Sequence, residues 1–271
     1  METEEKIIRK VTEIGNGAHI FAPKEWLDDE VILVRIPKKN AKDEAMKLLY
    51  PHLDKIIAAF IYGSHARNEN DKDSDLDIFV ISSEKFNIKS KDIEIIVVPE
   101  DKIELAKKLN PILFYSMIRE AKPLINSAYL DKLKNEKIKF NYFKSFIEET
   151  KDSIESDKSL IDLDKKIKNK YSADSVIYSL ILRLRGVFII NMLLNKEAYS
   201  KKKFRDWVVT NSDIDYEKVY KIYRAIRDDK KVDEKVPIGQ AESLMDLLDK
   251  GVVNLKKEIK WLTEKGGLRK A

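Results

Sequence analysis

The chain has 271 residues, of which 43% are hydrophobic and 37% are charged, with a net charge of +5 and no cysteine. This length predicts two or three folded units with hydrophobic cores. The lack of cysteine indicates a protein that does not rely on disulfide bonds. We find no stretch with the apolar length of a membrane span, and the acidic start is unlike a signal peptide. We therefore expect a cytoplasmic protein with no membrane partner.

Residues 1–37 have the pattern of a small β-hairpin module. A strand pattern over residues 6–14 meets the turn Gly15-Asn16-Gly17, and a strand resumes at residues 18–21. A helical turn opened by Pro23 and a further strand over residues 30–36 follow.

This order resembles the AbrB/SpoVT-type swapped-hairpin modules. The resemblance implies a homodimer at least, because so short a unit buries too little apolar surface by itself. Residues 1–38 carry eight acidic and six basic residues. Because DNA binding requires neutralisation of phosphates, we expect dimerisation first and DNA binding only as a less favoured role.

The clearest chemical signal lies between two apolar runs. Residues 56–62 predict a buried strand that leads directly into Gly63-Ser64, and residues 76–81 predict a second buried strand. Asp75 and Asp77 are two positions apart, so that on a strand they project from the same face. Two aligned carboxylates repel each other unless a cation lies between them. Magnesium, which takes oxygen ligands and usually shares them with phosphate, is the expected occupant.

The order of Gly63-Ser64, a short loop and the Asp75, Asp77 pair resembles the nucleotidyltransferase superfamily of DNA polymerase beta. A third carboxylate on the next strand belongs to the same pattern, and the match covers about residues 56–98. The resemblance implies that Gly63 and Ser64 hold the triphosphate of a nucleotide. It also implies that Asp75, Asp77 and the third acid ligate two magnesium ions, and that the third acid helps to deprotonate the attacking hydroxyl.

The third acid is Glu94 or Asp92. Apolar residues flank Glu94 on both sides, as is usual for this acid in the family, which favours Glu94. Arg67 follows the Gly63-Ser64 turn, where basic residues of relatives contact phosphate, so the resemblance assigns it to the nucleotide.

Arg183 and Arg185 lie within a long apolar helix pattern, where charged residues are usually paired or functional. Because residues two apart diverge on a helix, we expect only one of them to face the cleft. We assign Arg183 to nucleotide binding, although the pattern by itself does not separate the two arginines.

The rest of the chain predicts an α+β fold in three parts. Residues 38–135 form a mixed-sheet nucleotidyltransferase domain, with helices at 41–50, 99–109 and 111–121 and an edge strand at 123–125. Residues 136–271 form a helical bundle, with helices predicted at 141–154, 168–194, 200–209, 216–227 and 241–262. This layout resembles the C-terminal helical domains of aminoglycoside nucleotidyltransferases and their archaeal and bacterial relatives, and we expect it to select the acceptor.

The predicted activity is metal-dependent transfer of a nucleoside monophosphate from a nucleoside triphosphate to an acceptor hydroxyl, with release of pyrophosphate. Residues 136–271 carry 30 basic and 23 acidic residues, which keeps RNA among the acceptors beside proteins and small molecules. The alternative is a dimeric regulator that senses nucleotide or binds DNA without turnover. The three inward carboxylates favour the enzyme.

Overall fold

The computed structural model describes residues 7, 9, 11–33, 41–70, 74–90 and 93–264. The chain divides into two compact units, residues 1–39 and residues 40–271. In the first unit, strands β1 (Thr12–Ile14) and β2 (Gly17–His19) form an antiparallel hairpin. Gly15 in the turn has a φ of +51°, a conformation that glycine adopts without steric cost.

The predicted N-terminal hairpin is confirmed, with a shorter first strand than expected. The predicted helical turn is a 3-10 turn, Lys24–Trp26, that follows Pro23. The strand predicted over residues 30–36 has no pairing in residues 30–33, and residues 34–36 lie outside the described residues. The swapped-hairpin resemblance stays a prediction.

The second unit contains a mixed four-stranded sheet, as predicted. Its strands are β3 (Ile56–Tyr62), β4 (Leu76–Ser82), β5 (Ile93–Pro99) and β6 (Lys122–Ile125). They lie in the order β5-β4-β3-β6. Strand β3 is antiparallel to β4 and to β6, whereas β4 and β5 are parallel. The end of β3 and the starts of β4 and β5 therefore lie side by side at one end of the strands, which we call the sheet edge.

Ten helices lie in the described part of this unit. They are α1 (Ala41–Leu49), α2 (Gly63–Arg67), α3 (Ile103–Leu109), α4 (Pro111–Glu120), α5 (Ser127–Asn135), α6 (Lys144–Lys166), α7 (Asp174–Leu194), α8 (Lys201–Asn211), α9 (Tyr216–Arg227) and α10 (Ile238–Glu264). Four differ from the prediction by three or more residues at one end or both: α3 begins at Ile103 rather than at residue 99, α6 begins at Lys144 and continues to Lys166, α7 begins at Asp174 rather than near residue 168, and α10 begins at Ile238 rather than at residue 241. Between them Lys168 has a φ of +59°, and Tyr171 pairs with Pro237. The sequence pattern did not predict α5.

Both faces of the sheet are buried. On one face, Ala59, Ile78 and Val80 pack with Ala45 and Leu49 of α1. On the other face, Phe60, Phe79 and Ile81 join a core that continues through α4 and α5 into the helices beyond residue 140. The continuous apolar runs of β3 and β4 follow from this burial, because a strand covered on both sides has no solvent face that needs polar residues.

Helix α7 lies at the centre of the helices beyond residue 140, which we call the helical half. It has the length and apolar composition of a membrane-spanning helix, which contradicts our expectation that no segment has them. However, 61% of its most apolar 18-residue stretch is buried inside the protein. Val176, Ile177, Leu180 and Leu184 are fully buried. Such burial is the behaviour of a core helix in a soluble domain.

Asn126 connects β6 to α5 and provides a test of the fold. It has a φ of +59°, its Oδ1 accepts a hydrogen bond from the Tyr129 amide at 3.2 Å, and its Nδ2 donates to the Ile57 carbonyl at 3.0 Å. We expect Asn126→Ala to lower the free energy of unfolding by about 1–2 kcal/mol, because it removes the helix cap and strains the backbone. Urea unfolding followed by circular dichroism measures this change. Asn126→Gly, which relieves the strain but lacks the cap, should lie between Ala and wild type, and a wild-type value for Ala would contradict the account.

Candidate active site

The turn after β3 brings the backbone of Gly63 against a carboxylate. Gly63 opens α2 with a φ of +72°, and a Cβ atom added to it would lie 2.0 Å from Oδ2 of Asp77. This contact arises because Tyr62 and Asp77 are direct partners across β3 and β4. Any side chain at position 63 would meet both backbone strain and this steric clash. Glycine is therefore required here for two independent reasons.

The acids of the predicted site lie side by side across the sheet edge. Asp77 and Glu94 are register partners of the parallel strands β4 and β5, so their side chains leave the sheet on the same side. Asp75 lies one residue before the start of β4, and thus not on the strand as the period-two argument assumed. The order across the edge is Glu94, Asp77 and then the Gly63 turn. The alternative third acid, Asp92, lies outside the described residues.

The electrostatics of Asp77 reflect this crowding. Its pKa is raised to about 6, first by burial and then by the negative charges of Glu94 and Asp75, against a lowering by Arg67. Asp77 and the carboxylates whose charges raise its pKa are hard oxygen donors, and a divalent cation would relieve their repulsion. As they stand, no three His, Cys, Asp or Glu side chains in the described ranges are close enough together to hold a metal ion. The residue types and their register thus fit a divalent cation, whereas a closed ligand shell is not assembled.

Glu120, at the end of α4, is a functional candidate that the sequence did not reveal. Its Oε1 accepts a hydrogen bond from the Gly63 amide at 2.8 Å, and its Oε2 accepts one from Nη1 of Arg67 at 2.7 Å. Its side chain is only 5% exposed. Burial raises the pKa of Glu120, and the charge and hydrogen bond of Arg67 and the Gly63 amide oppose that rise. No sequence signal marks it, because an acid between a helix end and an edge strand usually faces solvent.

Arg67 is held by acids on two sides. Besides Glu120, its Nε donates to Oε2 of Glu69 at 2.9 Å. Burial alone would lower the pKa of Arg67, but the charges and hydrogen bonds of Glu120 and Glu69 raise it. Its guanidinium also lies over the Tyr199 ring, 5.3 Å from the centroid. Arg67 thus belongs to a network that fixes the turn.

A cleft of about 1010 Å³ lies between the sheet edge and the helical half. All of the predicted site residues line it: Gly63, Ser64, Arg67, Asp75, Asp77, Glu94 and Arg183. Helix α4 contributes apolar residues such as Ile112 and Leu113 to its wall, and α9 contributes Tyr220 and Arg224. A cleft with carboxylates on one side and cations on another has room for a nucleotide and an acceptor.

Arg183 and Arg185 both line this cleft, so the expected division between them does not hold. Arg183 lies 3.6 Å from Oε2 of Glu149 and over the Phe146 ring. Arg185 stacks over Tyr199, 5.1 Å from the ring centroid, and its Nη1 lies 3.4 Å from the Tyr223 hydroxyl. Its Nε is buried without a hydrogen-bond partner, and its charge opposes the rise in the pKa of Glu120 that burial causes. Arg183 is thus paired with an acid, whereas Arg185 is held by two tyrosines.

The family comparison agrees with this arrangement. Residues 44–145 match the family model "Polymerase beta, Nucleotidyltransferase". This part of the chain is a nucleotidyltransferase domain, and the protein that carries it is a transferase. No curated protein matches the chain at a significant level.

Two solved structures align with the chain at low identity. A spectinomycin adenyltransferase from Enterococcus faecialis, solved with ATP and spectinomycin, is 15% identical, covering 81% of this chain and 98% of its own, with a TM-score of 0.41. A nucleotidyltransferase-like protein from Exiguobacterium sibiricum is 11% identical, covering 84% of this chain and 77% of its own, with a TM-score of 0.33.

Gly63→Ala tests the contact with Asp77. We expect it to abolish nucleotide binding and to lower the melting temperature, because the new Cβ meets the Asp77 carboxylate as well as the strained backbone. Gly15→Ala is the matched control, since Gly15 also has a positive φ, but a Cβ added there would have no heavy atom within 4 Å. Calorimetric melting of both variants separates strain from clash. Equal and small decreases in the melting temperature of the two variants would contradict the assigned role of the contact between Gly63 and Asp77.

Proposed function

We propose that this protein transfers a nucleoside monophosphate from a nucleoside triphosphate to an acceptor hydroxyl and releases pyrophosphate. The observation that carries the proposal is the register of the sheet edge, which aligns Glu94, Asp77 and the Gly63-Ser64 turn along one side of the cleft. The reaction requires a site for the acceptor, then a site for the α-phosphate, and then a site for the phosphate tail. Glu94, Asp77 and the Gly63-Ser64 turn would provide them in that order. The family match supports the reaction class.

In the proposed reaction, the turn at Gly63-Ser64 orients the phosphate tail, and Arg185 supplies positive charge from the helical half. Glu94 accepts the proton of the acceptor hydroxyl, whose oxygen attacks the α-phosphorus. The bond from the α-phosphorus to its bridging oxygen breaks, and pyrophosphate leaves with the electron pair. Positioning and charge stabilisation provide most of the rate enhancement in such a transfer.

Asp75, Asp77 and Glu94 would hold magnesium, which the class of reaction uses. When bound, it supplies positive charge to the phosphates and lowers the pKa of the acceptor hydroxyl. The raised pKa of Asp77 supports this proposal, because a site that gathers negative charge is stabilised by a cation.

We propose the same three-part division as the sequence predicts: residues 1–37, residues 38–135 and an acceptor-selecting part over residues 136–271. The first part would dimerise in a cytoplasmic protein. Its support is the exposure of apolar side chains there, including Phe21, Leu27 and Ile32, which is 92% exposed. A two-stranded hairpin with exposed apolar residues is marginally stable until a partner covers it.

The function is tested by incubating the protein with each of four α-labelled nucleoside triphosphates, magnesium and cell extract, and then separating labelled RNA, protein and small molecules. Asp75→Asn combined with Asp77→Asn should reduce transfer by at least about 10³-fold, because it removes two carboxylates that would hold the cation whose charge acts on the transferred phosphate. The melting temperature should not fall, since the substitution also removes mutual repulsion.

The control in this experiment is Asp101→Asn, which alters an exposed acid paired with Lys102 outside the cleft and should leave transfer unchanged. Undiminished transfer by the double variant would refute the assignment. Nucleotide binding by the wild-type protein with no pyrophosphate release over every acceptor would instead favour a nucleotide-sensing regulator.

A further inference from the structure

We propose that Glu120 is a positioning residue that anchors the phosphate-binding turn, and that Arg67 acts through this anchor rather than on the phosphates of the donor. The inference rests on the proposed function of the same cleft. It concerns how the turn is held in place for the donor.

The anchor holds the turn through the backbone amide of Gly63. The Gly63 amide donates to Glu120 at 2.8 Å, while the Cα of Gly63 faces the Asp77 carboxylate. Glu120 comes from α4, which is followed directly by β6, and β6 pairs with β3 on the side away from β4. The turn is thus bonded to one carboxylate, Glu120, and closely approached by a second, Asp77. A shift of Glu120 would move Gly63 relative to Asp77.

Arg67 extends this anchor to the helical half. Two of its three guanidinium nitrogens are engaged by carboxylates, Nη1 by Glu120 and Nε by Glu69. The Oε1 of Glu69 in turn accepts hydrogen bonds from the Ser200 hydroxyl at 3.0 Å and from the Lys201 amide at 3.1 Å, at the start of α8. A continuous polar chain therefore runs from α4 through the turn to α8.

The burial of this chain makes its charges interdependent. The side chains of Glu120 and Arg67 are 5% and 13% exposed, so removal of either charge leaves the other poorly solvated. Because two carboxylates already engage its guanidinium, Arg67 is less able to bind a phosphate. Arg185, whose Nε has no hydrogen-bond partner, supplies the charge that Arg67 does not.

The test compares the binding of ATP and AMP to the full-length protein by isothermal titration calorimetry in magnesium buffer. We expect Glu120→Gln to weaken ATP binding about 10-fold, in line with the loss of a charge-assisted hydrogen bond. AMP lacks the two phosphates that reach the turn, so its dissociation constant should change less than about 2-fold. A general loss of structure would weaken both ligands alike, whereas a displaced turn weakens ATP selectively.

Glu136→Gln is the matched control. Glu136 pairs with the buried Lys107 of α3 but does not line the cleft. This variant should have a lower melting temperature than the wild type. Its ratio of ATP to AMP dissociation constants should equal that of the wild type. If Glu120→Gln does not fold, Glu69→Gln tests the same chain, with ATP binding about 3-fold weaker and AMP binding unchanged.

The result that would overturn the anchor is a wild-type ratio of the ATP and AMP dissociation constants in the folded Glu120→Gln variant. If Glu69→Gln replaces that variant, the same ratio in Glu69→Gln would overturn it. Either result would leave the proposed function in place. A failure of the wild-type protein to bind ATP at all would overturn the proposed function, and this inference with it.

Discussion

The close approach of Gly63 to the Asp77 carboxylate is the constraint on which the rest of the site depends. It fixes the distance between the turn that would receive phosphates and the acid beside it, since no other residue at position 63 allows it. The pairing of Tyr62 with Asp77 sets this contact, and the pairing of Asp77 with Glu94 extends the site to the neighbouring strand. The geometry of the site is thereby built into the sheet rather than into a flexible loop.

Acids gathered at a half-buried edge repel one another, as the raised pKa of Asp77 indicates, and this repulsion destabilises the fold. The surrounding fold compensates for this in two ways. Both faces of the sheet are covered by apolar cores, which hold the strands in place. The polar chain from Glu120 through Arg67 to Glu69 ties the turn to α4 and α8. A site with unfavourable charge is thus maintained by well-packed neighbours.

The sequence predicted those parts of the site that depend on local order. Gly63 and Asp77 could be recognised because a turn and an acid within apolar runs leave a local signal, and Glu94 because its apolar neighbours on both sides match the pattern of the resembled family. Glu120 could not be predicted, since its contact with Gly63 joins residues 57 positions apart. The distinction between Arg183 and Arg185 depends on how α7 is rotated against its neighbours, which only tertiary packing sets. The sequence also did not predict helix α5, although α1, which was predicted, has the same length.

The most direct test of the central claim, that this sheet edge binds a divalent cation together with a nucleoside triphosphate, is a manganese(II) titration followed by electron paramagnetic resonance with α,β-methylene-ATP present. Mn²⁺ takes the same oxygen ligands as Mg²⁺ and is paramagnetic. We expect the wild-type protein to bind Mn²⁺ only with the nucleotide, and Asp77→Asn and Glu94→Gln to lose that binding. Unchanged nucleotide-dependent Mn²⁺ binding in Asp77→Asn would contradict the account.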